Sequence, residues 1–419
     1  MSAWPRFKFY GTPRIFLQAA GEILGGTIHK GDDVARLEAE IARLTGRRHA
    51  IATPQARVGL FLILEALLAR TERRKVVLSP YTIYDVVNMV VCARGVPVFA
   101  DVDPRTGNLD PDQVAALIDD GVAAVLSTHL HGIMADLGRL AAVCEAAGIP
   151  LLEDAAQAFG GRWQGRAAGG VGHAAMFSLG RAKNINCFYG GVVVTDDDAL
   201  AASIRAHMAD WPDLATSFLV KRIIHCAIIA LAVSRAIFPW LTRHVFRSLA
   251  IRGERKGAAL FSTERNPLLR SHLPPDWQRR LTPMQARMAL DQLRRADADQ
   301  VHRLRLARLY RDGLADLPQV GLPRPLPGAD DIFMPFPIQV ADRLALQEYL
   351  LNAGLDVVVQ HIGNCADYPV FAPFHRDCPQ ARQVAKSVLL LPTYPEYPEV
   401  EARRIVRAIR DFYKAPPES

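Results

Sequence analysis

Three short clusters carry residue types able to do chemistry. Residues 151–157 read LLEDAAQ, an apolar run ending in Glu153 and Asp154 and reaching Gln157 three positions on. Residues 177–183 read FSLGRAK and place Ser178 five positions before Lys183. Residues 189–195 read YGGVVVT, a glycine pair leading into a β-branched run. Each alone has an ordinary explanation. An acid at a strand end caps a helix, a lone lysine is a solvated surface group, and a glycine pair is turn chemistry. Together they meet one demand. A lysine amine that condenses with pyridoxal phosphate needs a carboxylate to keep the pyridine nitrogen protonated. It also needs donors for the phosphate and a polar group on the ring hydroxyl. Lys183, Asp154, Ser178 and Gln157 supply those types.

The elements that must position them alternate from about residue 31 to 206. Residues 32–44 and 58–69 have helical apolar spacing, as do 110–119 and 137–147. Between them fall short β-rich runs at 76–78, 96–99, 123–127, 150–152 and 191–195. This alternation predicts parallel βαβ units, an α/β sheet covered by helices on both faces. Ligands then sit at the carboxyl ends of strands, so the loops that follow strands are where chemistry is expected. The pattern stops after Trp211 and resumes near Leu281 with a long helix at 284–312. Strands at 333–340 and 356–361, a helix at 344–353 and a last helix at 398–413 complete a smaller α+β unit. The predicted organisation is a large domain over 1–210, an apolar and basic helical insert over 211–273, and a linking helix with a small domain over 274–419.

Composition removes several alternatives. Half of the 419 residues are hydrophobic and 22% are charged, which suits a globular chain. Six cysteines without a CxxC pair, and twelve histidines without HExxH spacing, predict neither a disulfide framework nor a bound metal. No Walker A or GxGxxG run is present, and no basic-aromatic alternation suggests nucleic acid. Residues 1–16, with Pro5, Pro13 and several charges, do not read as a secretory signal, so a cytoplasmic location is expected. His129, His131 and His361 are weaker candidates for the pocket.

The ordered set EDAAQA, FS-x4-KN and GGVVVT, preceded by PVFADVDPRTGNLD, resembles the DegT/DnrJ/EryC1/StrS family of sugar aminotransferases. The likeness continues in HKGDDVARLEAEIARLTGRRHAIA, VLSTHLHGIMADLGRL, RLTPMQARMALDQL and LLLPTYPEYP, and so spans nearly the whole chain. It implies a fold-type I, pyridoxal-phosphate-dependent enzyme. Lys183 is then the lysine that bonds the cofactor, Asp154 the pyridinium partner, Gln157 a ring-hydroxyl contact and Ser178 a phosphate ligand. It further implies a homodimer that aminates a nucleotide-linked keto-sugar with a donor such as glutamate. The setting would be amino-sugar, surface-polysaccharide or lipid-linked glycan synthesis. Relatives that deoxygenate instead replace the lysine, and Lys183 is present.

Departures from the family cluster at the pocket. Ala56 and Arg57 stand where Gly-Thr usually opens the phosphate-binding helix, so Arg57 is expected to replace the hydroxyl as phosphate ligand or to face outward. Ile83 occupies the ring-covering position, with Tyr81 and Tyr84 as aromatic alternatives. Gln278 replaces an asparagine that reaches the partner subunit, and Tyr189 replaces an acid.

The insert holds the charge anomaly. Residues 216–256 contain eight Lys and Arg against one acid, while the rest of the chain has 42 of each, so this segment carries the whole net charge of +7. Residues 223–242 form a 20-residue apolar run, the length of a membrane span, but with Arg235 and Pro239 inside. Three readings stand: a buried or dimer-covering helix, a membrane span, and a helix lying on an anionic membrane surface. The altered phosphate site and this insert also leave a rival, a non-catalytic membrane-associated scaffold that keeps the fold.

Overall fold

The computed structural model of the chain describes residues 3–9, 13–251, 266–360 and 362–414. A seven-stranded sheet forms the centre. Its strands are β1 (His49–Thr53), β2 (Lys75–Leu78), β3 (Val96–Phe99), β4 (Val122–Thr128) and β5 (Leu151–Asp154), then β8 (Ala174–Ser178) and β9 (Gly191–Thr195). β6 (Arg162–Trp163) and β7 (Arg166–Ala167) make a small hairpin beside it, extended by β10 (Ala329–Asp330). The order is β1-β9-β8-β5-β4-β2-β3. Strands β3, β2, β4, β5 and β8 are parallel, whereas β9 runs against β8 and β1 against β9.

Helices cover both faces: α1 (Arg14–Leu24), α2 (Asp33–Thr45), α3 (Ala56–Leu68), α4 (Tyr84–Cys92), α5 (Pro111–Ala115), α6 (Leu137–Ala146) and α7 (Asp198–Met208). The pleat divides the core between them. Val193 of β9 faces the layer of α3, α4 and α7, while Val192 and Val194 face that of α1, α2 and α6. Every residue of β4 is buried, as expected of a parallel strand covered twice.

The insert contains α8 (Thr216–Ala232), a π-helical turn (Phe238–Thr242) and α9 (Arg243–Ile251). The apolar run at 223–242 is therefore not one helix. No helix among the described residues is long and apolar enough to cross a membrane. Arg252, Glu254, Arg255 and Lys256 of the basic segment, and His361, lie outside the described residues.

The helix expected at 284–312 is two, α10 (Pro283–Leu293) and α11 (Ala296–Leu314). Neither glycine nor proline marks the break at Arg294 and Arg295. Two separate cores supply the reason. Met284, Ala286, Met288 and Ala289 of α10 are buried with the large sheet, and Leu306, Tyr310 and Leu314 of α11 with the small one. That second core is closed by α12 (Arg343–Asn352), α14 (Glu399–Lys414) and a sheet of β11 (Phe336–Gln339), β12 (Val358–Val359) and β13 (Val388–Leu391), with α13 (Pro379–Ser387) leading into β13. β11 begins only at Phe336, because Phe333 turns at φ 51°. Residues 3–9 reach this domain through Arg6, whose guanidinium meets Asp356 at 2.5 Å, and Pro5, whose carbonyl accepts from Tyr394.

Gly191 opens β9 hard against the start of α3, where a Cβ would stand 2.6 Å from the Gln55 carbonyl carbon. The backbone of Gln55 and Ala56 met there cannot yield. Gly191→Ala is expected to lower unfolding free energy by about 1–3 kcal/mol, seen as a lower denaturant midpoint at unchanged m. An unchanged midpoint would refute the close packing.

Candidate active site

Adjacent residues of a strand point to opposite faces, so Glu153 and Asp154 at the end of β5 part company. Glu153 is enclosed. It accepts from His129 Nε2 at 2.9 Å and from the backbone N–H groups of Gly169, Val171 and Gly172 at 2.8, 2.9 and 2.6 Å. Burial opposes its charge, but His129 and these N–H groups hold the carboxyl below the usual range. His129 Nδ1 accepts from the Ala135 N–H at 3.1 Å, so Nε2 carries the proton given to Glu153. His129 thus braces the strand ends.

Asp154 is buried with less help. Burial pushes its carboxyl up, opposed by the Ala156 N–H at 3.0 Å and by the charge of Lys183. Lys183 sits in the turn after β8, its N–H donating to Gly180 O at 3.0 Å. The turn is pinned by Asn184, which donates to Phe159 O at 2.7 Å, and by Asn186, whose N–H donates to Gln292 Oε1 at 3.0 Å. Burial lowers the Lys183 amine to about 8, with Asp154 raising it and Arg57 lowering it further.

The remaining expected residues have the following surroundings. Gln157 Oε1 accepts the His131 N–H at 2.9 Å, which leaves its Nε2 as the donor end. Among the described residues Ser178 Oγ receives a 3.4 Å bond from the Gly180 N–H and no other. α3 starts at Ala56 without a side-chain cap, because Gln55 turns its amide to the Tyr189 hydroxyl. Arg57 is committed elsewhere than the sequence suggests. It pairs with buried Asp85 and lies 5.2 Å from the Trp277 ring, which Arg270 approaches at the same distance. A phosphate contact by Arg57 has to be shared with Asp85. Tyr81 is buried where the domains meet, its ring facing Gly107 and Val384 and its hydroxyl without a partner among the described residues. Ile83 is half-buried at the start of α4, and Tyr84 is buried in its first turn. His131 is buried, with its ring 3.4 Å from the Gln360 amide.

Sequence reasoning gave no role to Glu153, Asp85, Arg270 or Trp277. Their partners lie far along the chain, and only the acid beside Asp154 carried a local signal. The set fits pyridoxal phosphate on three counts. An uncapped helix start offers N–H groups to an anion. Asp154 is a buried carboxylate with a single N–H donor among the described residues, suited to a protonated ring nitrogen. A lysine with a depressed pKa completes the chemistry.

Comparison with known proteins agrees. The model of the DegT/DnrJ/EryC1/StrS aminotransferase family matches residues 15–216 and 245–410, and the gap between them holds nearly all of α8. The chain is 28% identical over 388 residues to the "Pleiotropic regulatory protein" of Geobacillus stearothermophilus, covering 92% of this chain and 90% of that one. It is 26% identical over 424 residues to the spore coat polysaccharide biosynthesis protein SpsC of Bacillus subtilis (strain 168), covering 97% of each. DesI, solved in the presence of its TDP-sugar product, superposes with a TM-score of 0.72 at 26% identity, over 98% of this chain and 93% of that one. With a family match over most of its length and a lysine and carboxylate set at neighbouring strand ends, the chain belongs to the DegT/DnrJ/EryC1/StrS aminotransferase family.

Proposed function

We propose that the protein transfers an amino group to a nucleotide-linked keto-sugar, with glutamate as donor, as a cytoplasmic homodimer serving surface-polysaccharide or lipid-linked glycan synthesis. The observation that carries this is the half-buried Lys183, its amine held below the ordinary lysine value, beside buried Asp154, a pair that a non-catalytic scaffold has no need to keep. The TDP-sugar in the DesI structure and the polysaccharide in the name of SpsC support the substrate class.

Pyridoxal phosphate, when bound, supplies an electron sink for the carbanion left as the donor's Cα loses its proton. The N–H groups at the start of α3, Ser178 and Arg57 hold its phosphate. Asp154 keeps the pyridine nitrogen charged, and Gln157 Nε2 donates to the ring hydroxyl. Lys183 Nζ takes the Cα proton and returns it. At neutral pH an amine of pKa about 8 is free in about a tenth of molecules, against well under a thousandth at its ordinary value. A base poised this way is ready for proton transfer.

Lys183→Ala is expected to lose both turnover and the visible absorption of lysine-bound cofactor, with far-UV circular dichroism unchanged. Transamination near the wild-type rate in that variant would remove Lys183 from the mechanism. Asp154→Asn keeps the shape but not the charge, and should lower kcat by about 10²–10³. In the cofactor-free protein, labelling of Lys183 by an amine-directed reagent should rise with pH. The amine is protonated and inert below its pKa and free above it, so the half-maximal rate falls near about 8. A midpoint at the ordinary lysine value would show the amine to be solvated.

A further inference from the structure

We propose that the outer face of α8, with the turn and helix after it, docks on an anionic lipid surface. Leu219, Ile223, Cys226 and Val233 form its inner row and are buried against the protein. The opposite row, at helical spacing of three and four, is Lys221, Ile224, Ile228 and Leu231, with Arg235 in the turn just past the helix end. Its three apolar members are 54%, 63% and 59% exposed, and a cation brackets them at each end. The chain then presents Trp240 at 81%, Leu241 at 63% and Val245 at 45% exposure. An apolar face of this extent, on a helix too short to span, is the form of a helix that lies in the plane of a bilayer.

Charge selects the occupant. Residues 216–251 carry five Lys and Arg and no Asp or Glu. Among the described residues Lys221 makes no ion pair, and Arg235 lies over the Trp4 ring at 4.5 Å with no carboxylate partner. A second copy seated here about a two-fold axis would set these cations against themselves, with no acid in the segment to receive them. Anionic headgroups answer the cations, and acyl chains answer the isoleucines. Trp240 suits the boundary between them. The segment also falls largely where the family match is interrupted.

The test is co-sedimentation of the full-length holoprotein with vesicles of phosphatidylcholine containing phosphatidylglycerol, and with phosphatidylcholine alone. Binding is expected only with phosphatidylglycerol and should fade in high salt. Ile224→Gln with Ile228→Gln should lower the partition coefficient at least about tenfold, and Lys221→Gln about fivefold. Each should leave the melting temperature and transamination of a soluble sugar unchanged, since these side chains lie outside core and site. Absence of binding, or equal binding to phosphatidylcholine alone, overturns the proposal. So does a smaller oligomer in light scattering of the Ile224→Gln, Ile228→Gln protein, which would show that a second copy covers the face.

Discussion

A carboxylate carried to the end of a buried strand must be met by donors or by a cation, and β5 carries two. Glu153 is met in full by one imidazole and three backbone N–H groups. In meeting it, the segment at 169–172 and the loop after β4 are drawn into place. Asp154, one residue on and facing the other way, receives a single N–H among the described residues and the field of Lys183. The finished side makes the unfinished side rigid. A buried acid so supplied is suited to complement a cationic ring, and the same enclosure strips water from the lysine amine.

Much of this could be read from the chain, and what could not has a common cause. β2, β3, β4 and β9 announce themselves through runs of valine and leucine, whereas β1 (HAIAT) and β8 (AAMFS) are rich in alanine. Alanine has little preference for strands, and burial on both faces removes any alternation. The break between α10 and α11 is invisible because it answers to two cores rather than to a residue. The motifs that hold Lys183, Asp154, Gln157 and Ser178 stand out because strand ends and turns gather these candidate residues within short stretches. The commitment of Arg57 does not, since Asp85 lies 28 positions away and Trp277 is supplied from beyond the insert.

Hydropathy alone gave the insert a single apolar run. It could not assign phase, so neighbouring Ile223 and Ile224 looked alike. In the fold the first is 7% exposed and the second 54%. The start of α8 is also tied to the site. Tyr189, which accepts the Gln55 amide at the head of α3, meets Phe218 edge-on at 5.1 Å and lies beneath Arg222 at 5.6 Å. Tyr189 is thus the seat on which the first turns of α8 rest.

The two rows of α8 also answer to different selective pressures. A change at Leu219, Ile223 or Cys226 disturbs packing and is purged with the fold. A change at positions 224, 228 or 231 is nearly silent to stability, because those side chains touch little of the protein. Attachment can therefore drift, strengthen or vanish along a lineage while catalysis stays intact. Divergence among descendants of this chain should be written first on that outer row.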